Sequence, residues 1–117
     1  MVTDDFVSEL NDWDGKLSDD EWYFCKLRER LVNSLNQEEA FNQIPSIVEV
    51  ILKNSDEFVC MEGFELLLSI VRKSETTEAP PKLKEQWEIL KAHMNQFGDY
   101  EKRKFDELSH WYRINAL

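Results

Sequence analysis

The stretch Ile44-Pro45-Ser46-Ile47-Val48-Glu49-Val50-Ile51-Leu52-Lys53-Asn54-Ser55-Asp56-Glu57-Phe58-Val59-Cys60-Met61-Glu62-Gly63-Phe64-Glu65-Leu66-Leu67-Leu68-Ser69-Ile70-Val71 decides the fold. Ile44, Ile47, Val48, Ile51 and Leu52 recur at the spacing of one helical face. Asn54-Ser55-Asp56 breaks that stripe with residue types that favour turns and helix starts. Cys60, Met61, Phe64, Leu67, Leu68 and Val71 then write a second stripe of the same period. Two amphipathic helices joined by a tight polar turn form an antiparallel hairpin. Gly63 lies inside the second helix at a propensity cost of ~1 kcal/mol relative to Ala, which predicts the close approach of a neighbouring helix.

Working outward, Asn36 with Glu39 has the form of a helix start, and the segment it opens is expected to be interrupted at Ile44-Pro45. Upstream, a short helix over about residues 4–13 would align Phe6, Leu10 and Trp13 and end at Gly15. Ser18-Asp19-Asp20-Glu21 reads as a capping box opening a helix with Phe24, Leu27, Leu31 and Leu35 on one face. Downstream, residues 73–81 form a polar loop closed by a double proline. A helix carrying Leu83, Trp87, Leu90, Met94 and Phe97 ends at Gly98, and Asp99 caps a last helix with Phe105, Leu108, Trp111 and Tyr112. With three Gly, three Pro and no sustained alternation of apolar and polar residues, the chain predicts no strand. The expectation is an all-α domain over residues 1–117, of five to six antiparallel helices. They would form a compact bundle or a short stack of helix pairs. The pair at 44–72, with Asp56 at its turn, resembles a unit of the HEAT and armadillo type.

The chain has 117 residues and 14.0 kDa, enough for one self-sufficient core without disulfides. Its 24 Asp and Glu against 14 Lys and Arg leave a net charge of −10, which would repel nucleic acid and anionic membranes. Neither is expected as a partner. The start, Met-Val-Thr-Asp-Asp-Phe, is acidic where a secretory signal needs basic residues. The apolar block Phe64 to Val71 falls far short of the ~20 residues that span a bilayer. Cys25 and Cys60 are isolated within apolar stripes, which fits free thiols in a reducing cytoplasm.

Charge is concentrated along the chain. Residues 1–60 hold 14 acids and five bases, residues 61–117 ten acids and nine bases. Within 1–21, eight acids face Lys16 alone. Acids gather at helix starts to complement the helix dipole, yet solubility by itself gives no reason for such a bias.

The most specific constellation is Leu10-Asn11-Asp12-Trp13-Asp14-Gly15-Lys16-Leu17-Ser18-Asp19-Asp20-Glu21, which resembles an EF-hand calcium loop. Asp12, Asp14, Gly15, Ser18 and Glu21 occupy the third, fifth, sixth, ninth and twelfth positions of that pattern. The first position is Leu10, whose side chain has no oxygen to give, and the same residues serve equally as a helix stop and a capping box. No metal or cofactor is therefore expected. Cys25, Cys60, His93 and His110 show no zinc spacing, and no phosphate loop or nucleophile elbow is present. His93 and His110 have no nucleophile or orienting partner nearby in sequence. Adjacent acid pairs such as Asp4-Asp5, Asp19-Asp20 and Glu38-Glu39 point apart on a helix. The expectation is a protein that is not an enzyme.

Four Trp, seven Phe and three Tyr exceed what the apolar stripes need, and Trp22 and Tyr23 stand within or beside the acidic stretch. Aromatic anchors rimmed by acids are the chemistry that captures a basic protein quickly. The candidate partner-binding residues are Asp12, Asp14, Asp19, Asp20, Glu21, Trp22, Tyr23, Glu38 and Glu39. Together with Met61-Glu62-Gly63-Phe64-Glu65-Leu66-Leu67-Leu68, the Trp87 helix and the closing Trp111-Tyr112-Arg113-Ile114, this small acidic helical chain resembles immunity proteins of bacterial polymorphic or contact-dependent toxin systems. The resemblance implies stoichiometric neutralisation of a cognate basic toxin domain of the nuclease type by a cytoplasmic monomer or weak dimer. The alternative is a calcium-responsive or scaffolding adaptor that uses residues 10–21.

Overall fold

The computed structural model describes residues 2–112, and these contain only helices and their connections. In chain order they are α1 (Val2–Glu9), α2 (Trp13–Asp19), α3 (Tyr23–Asn33), α4 (Gln37–Lys53), α5 (Glu57–Ser74), α6 (Pro81–Glu85), α7 (Trp87–Asn95) and α8 (Asp99–Tyr112). The all-α expectation holds. The number of helices rises from the expected five or six to eight among the described residues, because the helix expected over 83–97 is divided and the stretch expected as a helix stop and cap forms a helix of its own, α2.

The hairpin at the centre forms as its periodicity demands. Ile44, Ile47, Val48 and Ile51 of α4 are fully buried against Cys60, Phe64, Leu67 and Val71 of α5. Leu66 and Ile70, on another face of α5, are fully buried too, since α3 and α8 also pack on this helix. A helix apolar on more than one side belongs at the centre of a globule, and α5 occupies it. The turn is closed by Asp56, whose carboxylate accepts from the Val59 backbone N–H at 3.1 Å. The capping box at the start of α4 is complete: Glu39 N–H donates to Asn36 Oδ1 at 2.8 Å, and Asn36 N–H to Glu39 Oε1 at 3.0 Å.

Pro45 does not interrupt α4, which runs unbroken from Gln37 to Lys53. A proline removes the bond to the carbonyl four residues back, here that of Phe41, but burial of Ile44, Ile47 and Val48 on either side outweighs it. At the other end of the molecule, Gln86 (φ −99°, ψ 8°) divides the expected helix into α6 and α7. Leu83, Trp87, Leu90 and Met94 nevertheless all reach the core. Gly98 turns the chain at φ +128°, a conformation that favours glycine, and Asp99 lies in the first turn of α8 rather than ahead of it.

The N-terminal region departs most from the sequence reading. α1 ends at Glu9, before Leu10 and Trp13, and Gly15 and Ser18 lie inside α2 instead of ending one helix and capping the next. The capping box expected at Ser18 and Glu21 does not form; Trp22 precedes α3 and supplies no side-chain cap. The cause is packing. The Trp13 ring stacks on Phe58 of α5 with centroids 4.0 Å apart, and Phe58 in turn meets Phe24 of α3 edge-on at 5.3 Å. Swinging Trp13 onto α5 forces the chain to turn at Asp12, which adopts left-handed backbone at φ 52°.

The chain exposes 6847 Å², close to the roughly 6,700 Å² expected of a folded protein of this mass. Its radius of gyration, 13.6 Å, likewise matches the ~13.4 Å of a compact chain of this length. Among the described residues no helix is long and apolar enough to cross a membrane.

Candidate functional site

The acidic stretch forms the corner where α2 meets α3. Its shape is set from beneath by Trp13 and from one side by a small polar knot. Lys16 Nζ donates to the Glu9 carbonyl at 2.9 Å and lies 3.4 Å from Glu9 Oε2. Lys16 also sits 5.5 Å from the centre of the Tyr23 ring, and the Tyr23 hydroxyl donates to Glu9 Oε2. That hydroxyl first, and Lys16 second, hold the Glu9 carboxyl below the usual range, while the same contact raises the Tyr23 phenol. The one base of residues 1–21 is thus spent internally, and Tyr23 turns its polar end inward.

Beyond this knot the corner is laid open. Asp20 leaves the helix with extended backbone (φ −150°, ψ 105°) and accepts from the Trp22 backbone N–H at 3.0 Å. Lys26 holds its other oxygen at 3.0 Å, and that bond with the backbone contact keeps the Asp20 carboxyl low. This local turn lifts Trp22 into solvent, where 59% of it is exposed. Asp12, Asp14, Asp19 and Glu21 are exposed too and form no ion pair among the described residues. Asp12 and Asp14 line the start of α2, and Asp19 to Trp22 its end. Glu38 and Glu39 do not join them. They open α4, beyond the 11 residues of α3, a separation of ~16 Å along the helix, and Glu39 is engaged with Asn36.

Residues 10–21 do not adopt an EF-hand loop. α2 runs helically from Trp13 to Asp19, where such a loop needs open backbone that turns its oxygens to a common centre. Among the described residues no three His, Cys, Asp or Glu are placed to hold a metal ion together.

The fold also brings together residues that no sequence spacing linked. His93 Nε2 lies 2.8 Å from the Asn54 carbonyl and 3.4 Å from Cys60 Sγ, a residue 33 positions away. A carbonyl only accepts, so Nε2 carries the proton and cannot serve as a base toward the thiol. Burial pushes the thiol up to about 11, away from the thiolate form. The trio closes the C-terminus of α4 and has the chemistry of a cap rather than of a nucleophile and its base. Only tertiary contact joins these positions, so no local signal announced them. Elsewhere Arg28 pairs with Glu62 at 3.1 Å and Lys104 with Glu65 at 3.0 Å, which explains two of the acids on α5 as structural.

Comparison of the chain with protein-family models, with curated proteins and with solved structures finds no match. The Arg113 and Ile114 that contribute to the immunity-protein resemblance lie outside the described residues.

Proposed function

We propose that this chain is an immunity protein: a cytoplasmic, non-catalytic inhibitor that binds a cognate basic toxin domain one to one and covers its polyanion-binding cleft. The observation that carries the reading is Trp22, 59% exposed and held out by the Asp20 turn in a stretch whose Asp12, Asp14, Asp19 and Glu21 form no ion pair among the described residues. Uncompensated acids around an aromatic anchor supply both halves of such a contact. The charge steers a basic partner, and the indole supplies the desolvated centre. Asp12, Asp14, Asp19, Asp20, Glu21 and Trp22 are its working residues, with Tyr23 bracing the corner from below and Glu38 and Glu39 outside it. The α4–α5 hairpin is read as a HEAT-type pair that serves as the rigid support.

The test is binding and growth protection against the basic toxin domain encoded next to this protein's gene. Tight, salt-sensitive association is expected, with at least a tenfold slower on-rate when Asp19, Asp20 and Glu21 are all replaced by Lys. An unchanged on-rate in that triple variant overturns the steering role of the corner. The calcium-adaptor reading predicts instead a change in Trp fluorescence on adding millimolar calcium, and the helical course of α2 does not favour it.

A further inference from the structure

We infer that this chain pairs with a second copy of itself through α3, each copy seating its Trp22 in a cationic groove on the other. The groove runs along one flank of α3, is lined by Tyr23, Lys26, Leu27 and Arg30, and measures about 190 Å³. Pockets that take a whole small molecule start at ~300 Å³, so this one suits a single inserted side chain. Its floor is apolar: Leu27 is buried, and Tyr23 turns its hydroxyl away to Glu9. Its edges are cationic. Arg30 is exposed and forms no ion pair among the described residues, and Lys26, exposed too, holds only Asp20. An apolar slot between two cations is the chemistry that receives an aromatic ring, an indole best of all.

The same helix carries the ring that fits. Trp22 precedes α3, and Lys26 and Arg30 follow it by four and eight residues, the spacing of one side of a helix. The middle of the groove therefore lies ~9 Å along the axis from Trp22. Anchor and receptor are displaced along one line, so two antiparallel copies of α3 related by a two-fold axis bring each anchor over the other's receptor together. That is the self-complementary arrangement of an isologous dimer. The outer side of α3 is open to it: Cys25, Lys26, Glu29 and Arg30 are exposed, while Phe24, Leu27 and Leu31 are buried in the core.

Charge complementarity selects a second copy as the occupant. Asp19 and Glu21 stand on either side of the Asp20 turn that holds Trp22 out, and neither forms an ion pair among the described residues. An indole entering the groove thus brings carboxylates to Arg30, and a second copy supplies both halves of the contact at once. The net charge of −10 on each chain opposes the approach at long range. At physiological ionic strength the screening length is ~8 Å, which removes most of that repulsion and leaves the contacts themselves. Association is therefore weak and reversible. It needs only this chain and does not rest on the toxin reading.

The test is sedimentation of the purified chain over a concentration series at physiological salt, with Trp emission followed in parallel. A reversible monomer–dimer equilibrium is expected, and emission should move to shorter wavelength as Trp22 leaves water. Trp22→Ala and Arg30→Glu, both at exposed positions, should each raise the dissociation constant at least tenfold. A chain with both Asp19→Lys and Glu21→Lys should self-associate as poorly. Mixed with the Arg30→Glu chain, it should form a heterodimer, because the reversed corner then meets the reversed groove and the two native halves meet each other. A chain that stays monomeric to millimolar concentration overturns the inference. So does a dimer that Trp22→Ala and Arg30→Glu leave unchanged, or a mixture no more dimeric than its components.

Discussion

Gly63 of α5 lies so close to Ile51 of α4 that a Cβ at position 63 would come 2.9 Å from Ile51 Cγ1. Ile51 Cγ1 is held within a fully buried side chain, so the clash cannot be relieved by swinging a flexible end away. Gly63→Ala gains ~1 kcal/mol of helix propensity and meets an overpacking cost of about 1–3 kcal/mol. The balance is a loss of up to about 2 kcal/mol, read as a lower urea midpoint at unchanged slope. A stabilised variant would show that the hairpin can open without cost.

Two of the four tryptophans should behave in opposite ways. Trp13→Ala removes the stacking on Phe58 and the anchor of α2, at a cost of about 2–3 kcal/mol for a half-buried ring. Trp22→Ala should change stability by less than about 0.5 kcal/mol, since the ring is mostly in water. Urea unfolding measures both. Trp22→Phe should also shift the native emission to shorter wavelength by deleting the most solvent-exposed of the indoles.

The fate of these residues shows what could be read in advance. The α4–α5 hairpin was legible because its periodicity, its turn residues and Gly63 all point to one arrangement. The corner of α2 and α3 was legible as a concentration of charge, but not as a shape. Its local signals favour a stop at Gly15 and a cap at Ser18, and they were overruled by one contact between Trp13 and Phe58, 45 positions apart in sequence. Capping is worth about 1 kcal/mol, and burying an aromatic ring is worth more. Glu39 carries the signals of a binding acid and of the cap of α4 at once, and the cap holds it. The Cys60–His93 contact arises only where distant helix ends meet, and no one-dimensional pattern encodes it.

The two cysteines should differ sharply toward an alkylating reagent. Cys25 is exposed on α3, whereas Cys60 is fully buried and its thiol is pushed up to about 11 by burial and by Asp56. A maleimide should label one cysteine per native chain quickly and the second only at the rate of opening. His93→Ala should speed that second reaction by at least tenfold and cost about 1 kcal/mol, because it uncovers the Asn54 carbonyl and Sγ together. Equal labelling rates in the native protein would contradict the packing around His93.

Glu65 and Glu62, one turn apart on α5, respond to pH with opposite signs. Burial pushes Glu65 up, but bonds from Lys104 at 3.0 Å and the Tyr100 hydroxyl at 2.8 Å outweigh it and hold the carboxyl below 4.5. Its share of stability is therefore present above 4.5 and lost as pH falls through the folded value. At Glu62 burial prevails over Arg28 and the carboxyl is raised, so its share is lost as pH rises. Lys104→Met removes the partner that Glu65 needs only when ionised. Near neutral pH it should cost about 2 kcal/mol, the worth of a partly buried charged hydrogen bond. At acid pH, below 4.5, as Glu65 takes up its proton, the difference from the wild type should shrink. Urea melts of both chains at the two pH values decide it: a gap that stays constant would mean that Lys104 acts through its packing alone, and that its charge does not hold Glu65 ionised.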